Sequence, residues 1–304
     1  MTKVLVGIEN SYTNAPLVWA KKSNLFRRNE LEIELIELPT REYGAPRKNL
    51  FNALDDKKVD LIIAPFENAV ERIAATLSVT IVKQFSRLAN SSACYALKEG
   101  ETNDRDPFFL GFPETDFEFE IFSAKRGMSK KMTRSYFMVD SAVEAIEAMK
   151  EDERISLFSS KLSNSSIDIP FELEVVDVQA NESPTSVMLI HELPDGSFNT
   201  TSGMSHNQFV SILSQFASSI QEAVGEIRES TDAVKDLASA FDCSKVGLGK
   251  QLQNIEWPSG FEPALSATQE ITQLMTSANL SAACDFYDPA EFWKTPTNGD
   301  STGE

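Results

Sequence analysis

Two polar clusters in this chain each follow directly on a short apolar run, and each has the groups to hold a small molecule. Asn10, Ser11, Tyr12 and Asn14 come after "VLVGI", and Pro65, Phe66, Glu67 and Asn68 span the end of "LIIAP" and the residues after it. Amides and hydroxyls both donate and accept hydrogen bonds, and a carboxylate accepts. The plainer role of the first cluster is helix capping, which Ser, Thr and Asn all perform. The two roles are compatible, because a capped helix start also presents backbone N–H groups to an anion. Glu67 and Asn68 could equally open a helix, where an acid suits the dipole. As a ligand contact, the Glu67 carboxylate would favour an amine or ring N–H and disfavour a free sulfonate or nitrate.

A third group lies further on: Phe85, Arg87, Ser91 and Ser92. Arg87 could grip an anionic group through paired hydrogen bonds, or sit in a surface salt bridge. Glu114 and Thr115 follow "FFLGFP", and Ser159 follows "ISLF". Phe66 and Phe85 could wall a ligand, with Tyr12 beside them. His191 and His206 have no partner motif and read as structural. No Ser–His–Asp order, metal-ligand spacing or glycine-rich phosphate loop is present, so no catalytic residue, cofactor or metal is assigned. Glu67 is the acid or base nearest to such a role.

These clusters need elements to place them. Val4–Ile8 reads as a strand, and a helix with Pro16 in its first turn follows near Ala15. Leu31, Ile33 and Leu35 alternate as a second strand. A short helix around Leu50, Phe51 and Leu54 leads to Val59–Ala64, an apolar run suited to a strand buried on both faces. The first 65 residues therefore read β-α-β-α-β. Helix "ENAVERIAAT", strand "SVTIVKQF" and a long strand "SSACYALK" follow, and the last of these leaves the unit. "PFFLGFPE" begins a second β/α unit, in which Ala142, Ala145, Ile146 and Met149 share a helix face. "ISLFSS", "FELEVVDVQ" and "TSVMLIHEL" are strands, the last returning to the first unit. From Ser205 the chain is helical, with apolar faces on Phe209/Leu213/Phe216/Ile220, on Val234/Leu237/Ala238/Phe241 and on Ala267/Ile271/Met275. Gly196–Ser205 reads as an exposed loop.

In doubly wound sheets, ligands sit beyond the carboxyl ends of the strands at the switch point. That rule selects the clusters after the first and third strands. The bulk numbers fit a globular protein: 304 residues, 41% hydrophobic and 24% charged. A net charge of −18 opposes nucleic-acid binding. No apolar stretch approaches the roughly 18 residues that span a bilayer, so no membrane insertion is expected. The opening "MTKVLVGIENSY" lacks the apolar core of an export leader. Cys94, Cys243 and Cys284 form no disulfide framework or zinc pattern. Cytoplasmic residence with reduced thiols is the expectation; a leader removed from the chain would make it periplasmic.

The order of elements resembles the type II periplasmic-binding-protein family. The resemblance is to the branch of nitrate, sulfonate, taurine and thiamine-pyrimidine binders that includes fungal thiamine pyrimidine synthases. It is carried by "NAPLVWAKKSNLFRRNELEIELIEL", "LFNALDDKKVDLIIAP", "VDSAVEAIEAMKEDERISLF" and "LSAACDFYDPAEFW". It implies a two-lobed α/β fold, each lobe a doubly wound mixed sheet flanked by helices, with a hinge of two crossing strands. Lobe 1 would be residues 1–92 plus 190–294, lobe 2 residues 93–189, and 295–304 a disordered tail. The resemblance further implies binding of a small polar or heteroaromatic metabolite, without catalysis, by a cytosolic member of fungal type. The alternatives are an enzyme acting on a thiamine-pathway or related metabolite, and an exported transport component with a transporter partner. The synthases' lysine and histidine would fall at Ala64–Asn68, where this chain has neither, and their cysteine-rich motif is not reproduced.

Overall fold

The computed structural model describes residues 3–38, 48–76, 78–88, 90–97, 108–111, 116–125, 136–139, 142–152, 154–160, 173–180, 184–192, 198, 200–277 and 288–294. The chain opens as expected. Strand β1 (Lys3–Ile8) leads through a 3-10 turn at Tyr12–Asn14 into helix α1 (Ala15–Lys22), with proline in its first turn. Asn24 takes the left-handed conformation (φ 59°) that breaks α1 from the short helix α2 (Leu25–Arg28); asparagine tolerates that region better than most residues. Phe26 of α2 stacks on Phe216, 5.6 Å between ring centres, and so carries the chain end of α1 into the core. Strand β2 (Glu32–Glu37), helix α3 (Lys48–Asp55), strand β3 (Leu61–Pro65), helix α4 (Phe66–Thr76) and strand β4 (Val79–Leu88) complete the first unit.

The second unit comprises β5 (Asn90–Leu97), β6 (Phe108–Gly111), α5 (Asp116–Lys125), β7 (Tyr136–Met138), α6 (Ala142–Glu151), β8 (Ile155–Ser160) and β9 (Leu173–Ala180). Strand β10 (Ser186–His191) returns to the first. The rest is α7 (His206–Glu229), α8 (Thr231–Ala240), α9 (Lys245–Gln253), the two-residue strand β11 (Ile255–Glu256), α10 (Leu265–Ser277) and a closing 3-10 turn (Pro289–Phe292).

The strands form two sheets of matching topology. The first runs β11-β4-β10-β3-β1-β2 and the second β7-β6-β8-β5-β9. In each, a parallel trio (β2-β1-β3 or β7-β6-β8) meets one antiparallel strand, β10 or β5. The sheets are joined by two neighbouring strands. β4 pairs with β10 in the first sheet, and their continuations β5 and β9 pair in the second. The link is thus one two-stranded antiparallel ribbon passed between lobes. Register slips sit on both sides of the crossing, at Phe85 in β4 and at Ser91 in β5; each inserts an extra residue that bends its strand. Strand pairing places Asn90–Ser92 in the second sheet and Ser186–Leu189 in the first, so the crossings fall a few residues from the 92/93 and 189/190 boundaries read from sequence.

The first lobe is built from both ends of the chain. One core cluster joins Val4, Val6 and Leu17 to Phe209, Phe216, Leu237 and Trp257; another, on the opposite face of the sheet, joins Ile62, Phe66 and Ile81 to Ile271 and Phe292. The helical faces expected from the 3.6-residue period therefore do pack on this lobe. One element escapes the sequence pattern: β11, too short to leave one. Helix α9 lies in the stretch expected to be helical, although its two glycines leave it no clear apolar face. Of the loop expected to be exposed at Gly196–Ser205, Thr201, Ser202, Gly203 and Ser205 are exposed, Phe198 and Met204 join the core, and 196, 197 and 199 lie outside the described residues. His206 opens α7, directly after the Ser205 cap of its Ser205/Gln208 capping box, and stacks on Phe198 at 4.5 Å. Cys94 lies in the second lobe's cluster of Phe109, Phe119, Phe122 and Phe158. Cys94 and Cys243 are thiols, in no disulfide among the described residues, and Cys284 and residues 295–304 lie outside those residues. No described helix is long and apolar enough to cross a membrane.

Candidate ligand site at the hinge

The site is the carboxyl edge of the first sheet, where the ribbon leaves it. β1 and β3 run parallel in register (Val6 beside Leu61, Gly7 beside Ile62), so the residues that follow them emerge side by side. After β1 the chain winds tightly. Ser11 N donates to the Glu9 carbonyl at 2.9 Å, Asn14 N to the Ser11 carbonyl at 2.8 Å, and the Ser11 hydroxyl accepts from Thr13 N at 3.3 Å. The Ser11 and Thr13 hydroxyls lie 2.9 Å apart. The capping role expected of this cluster is therefore real, and the turn is buried: Asn14 is 2% exposed and Tyr12 0%. Asn10 alone of the cluster faces solvent.

Asn14 is the informative residue. Its amide nitrogen donates to the Glu9 carbonyl at 2.9 Å, which fixes the side chain's orientation. Its Oδ1 is buried and has no hydrogen-bond partner among the described residues. A buried acceptor left in that state costs about 1–3 kcal/mol, unless a donor arrives from elsewhere.

Pro65, the last residue of β3, pairs with Ser186, and Phe66 N donates to the Thr185 carbonyl at 3.2 Å. Glu67 is buried in the first turn of α4, with Asn68 half-buried beside it. The Phe66 ring turns away into the core, 6.3 Å from Trp293, and Phe85 lies in the other core cluster. The structure thus makes both rings packing residues, with Tyr12 also fully buried.

At the crossing itself, residues the sequence did not single out do the pinning. The Ser86 and Ser186 hydroxyls are 2.6 Å apart. Thr185 N donates to the Ser86 carbonyl and Leu88 N to the Thr185 hydroxyl, each at 2.8 Å. The only signal for them was small hydroxyl residues in otherwise apolar strands. Arg87 stands apart from this group. Its side chain is 45% exposed and its Nε donates to Glu256 Oε2 at 3.0 Å, at the sheet edge where β11 pairs with β4. From the second lobe, Ser91 and Ser92 lie on β5 and Ser159 on β8, with Ala93 facing Ser159 across the pair. Their side chains, and all of Glu114 and Thr115, lie outside the described residues.

A strap braces the site from behind. After β11, the Trp257 indole N–H donates to the Thr13 carbonyl at 2.9 Å, reaching the turn after β1. Gln221 of α7 donates to the Trp257 carbonyl at 2.9 Å. Lys83 of β4, 2% exposed, donates to the carbonyls of Pro258 (2.7 Å) and Gly260, and its ammonium sits 4.9 Å from the centre of the Phe261 ring. Burial pushes the Lys83 pKa down to about 8, partly opposed by the Glu262 carboxylate. Among the described residues no group of three or more His, Cys, Asp or Glu could hold a metal.

No known family profile matches this chain, and no curated protein matches it in sequence. Solved structures match over nearly its whole length. The aliphatic sulphonate binding protein of Escherichia coli is similar with a TM-score of 0.71 and 12% identity, covering 99% of this chain and 95% of its own. A Candida albicans gene product that defines a family with the generic periplasmic-binding-protein fold gives a TM-score of 0.69 at 12% identity, covering 99% of each chain. The periplasmic nitrate-binding protein of a Synechocystis species gives 0.57 at 11%, covering 98% and 93%. The chain has the two-lobed periplasmic-binding-protein fold.

Proposed function

We propose that this protein binds a small polar or heteroaromatic metabolite bearing an amine or ring N–H, without catalysis, between its two lobes. The observation that carries this reading is the unpartnered, buried Asn14 Oδ1 at the end of β1, with the Glu67 carboxylate following the neighbouring strand β3. The Asn14 oxygen asks for a donor, and the Glu67 carboxylate sets the acidic character of the same edge. The ribbon between the sheets supplies the geometry for closure about a few residues. The similar structures bear the names of sulfonate and nitrate binders; an acidic group at this edge makes free sulfonate or nitrate a poor ligand here.

Native mass spectrometry of freshly purified protein is expected to show a retained small molecule. Asn14→Ala is expected to weaken binding of that molecule about tenfold or more, because the donor loses a buried acceptor, while the ligand-free melting temperature changes little. Arg87→Ala, which removes an exposed ion pair worth about 0–1 kcal/mol, should leave affinity unchanged. Equal affinity in wild type and Asn14→Ala would refute the site. An enzyme on the same frame is the second reading, and Glu67 favours it as a buried acid in the turn that follows β3. In that case Glu67→Gln removes turnover and keeps binding; under the binding reading no turnover exists to remove.

The same reading puts the protein in the cytoplasm, apart from any transporter. Alkylation of freshly lysed cells without reductant should then modify all three cysteines once the protein is unfolded. A disulfide would remove that placement.

A further inference from the structure

We propose that the corner between α7, α8 and α9 is a second binding site, for a small anion carrying an aliphatic tail. The end of α7, the start of α8 and one face of α9 border an open groove of about 420 Å³. That falls in the roughly 300–1,000 Å³ range of small-molecule pockets. Its apolar lining includes Ile227, Val234 and Leu252, and Val246 stands at the rim, 69% exposed.

Three cations surround this apolar floor: Arg228, Lys245 and Lys250, against Glu229 as the single acid in the lining. The whole chain has 46 acids to 28 lysines and arginines, so a local excess of positive charge runs against its composition. Among the described residues none of the three cations forms an ion pair. Lysine and arginine lay their stems along apolar surface and keep their charges at its edge. That arrangement matches an alkyl tail on the floor and a carboxylate at the rim.

The floor is kept open by Gly249. It occupies the centre of the α9 face formed by Lys245, Val246, Gly249, Lys250 and Gln253. Glycine inside a helix costs about 1 kcal/mol relative to alanine. Close packing does not demand it, because a Cβ there would meet only Val234 Cγ1, at an ordinary 3.7 Å. The residue leaves space in the groove that a longer side chain would fill.

The probe is octanoate, titrated calorimetrically into the full chain at low salt. One-to-one binding is expected, weakening as salt is raised because the cations are exposed. The charge-matched opposite, octylammonium, should not compete. The double change Lys245→Glu with Lys250→Glu should weaken octanoate binding at least tenfold, and Gly249→Leu, which fills the groove, should do the same. Asn14→Ala, at the hinge, should leave it unchanged. The proposal falls if octanoate shows no binding at millimolar concentration, if octylammonium binds equally well, or if Asn14→Ala abolishes binding and the α9 variants do not. Circular dichroism of each variant distinguishes lost binding from lost fold. The two α9 changes act by different means, so either one, if it folds, decides the question.

Discussion

Asp60→Ala is expected to lower the unfolding free energy by about 3–5 kcal/mol, measured by urea denaturation. Asp60 is wholly buried at the approach to β3. Its carboxylate accepts from Leu5 N on β1 at 2.7 Å and from Thr201 N in the segment leading to α7. Its own N–H donates to the Leu5 carbonyl at 2.8 Å. One side chain thus ties the first strand to a segment that lies 141 positions beyond Asp60 itself. Alanine takes the charged acceptor from two part-buried donors and opens a small void. Asp60→Asn keeps one acceptor oxygen and should cost about half as much. A loss below about 1 kcal/mol for alanine would mean that neither donor depends on the carboxylate.

The second large effect is a pH dependence from Lys83. Its folded pKa of about 8 lies below the 10.5 of an exposed lysine, because burial disfavours the ammonium. Between those values the unfolded chain holds a proton that the folded chain has released. Stability contributed by this group therefore rises as pH goes from 8 toward 10.5, and the burial penalty is present in full below that window. Tyr95 works the other way: burial raises its pKa above 10.0, so it costs stability as pH climbs past that value. Comparing wild type with Lys83→Met cancels Tyr95 and isolates the lysine. The stability of wild type relative to Lys83→Met should rise by about 2 kcal/mol between roughly pH 7 and pH 10. A difference that stays constant with pH would show that Lys83 titrates as a solvated amine.

The fold was legible where periodicity was strong. The alternation of Leu31, Ile33 and Leu35, the apolar run before Pro65 and the face of Phe209, Leu213, Phe216 and Ile220 each have one physical solution. The post-β1 and post-β3 clusters could be placed because a sheet of this kind exposes those ends. What failed was long-range. Arg87 reads as an anion ligand because nothing near it in sequence announces Glu256, which arrives 169 positions later. Phe85 reads as a cleft wall because side-chain direction depends on register, and β4 slips register twice; Phe66 reads as one because only the packing of α4 against Trp293 shows its ring turned to the core. Thr185, Ser186 and Ser86 escape notice because hydroxyls in a strand carry no pattern, and only pairing shows them converging. Lys83 escapes for the same reason: a lone lysine in an apolar strand reads as surface until the carbonyls that receive it are seen.

The placement of β10 sets the order in which the molecule can assemble. This strand lies between β4 and β3, near the middle of the first sheet, yet it is made after the whole second lobe. As the chain leaves the ribosome, β1, β2 and β3 can pair as a trio, but β4, complete by Leu88, still lacks the strand that joins it to them. The second sheet needs only Asn90 to Ala180, one unbroken stretch, and can close first. Until Ser186 emerges, β3 and β4 each present an unpaired edge, the kind of surface that recruits foreign strands. A nascent chain halted after Ala180 would carry a finished inserted lobe on an open host sheet, and a chaperone that shields strand edges would have its work there.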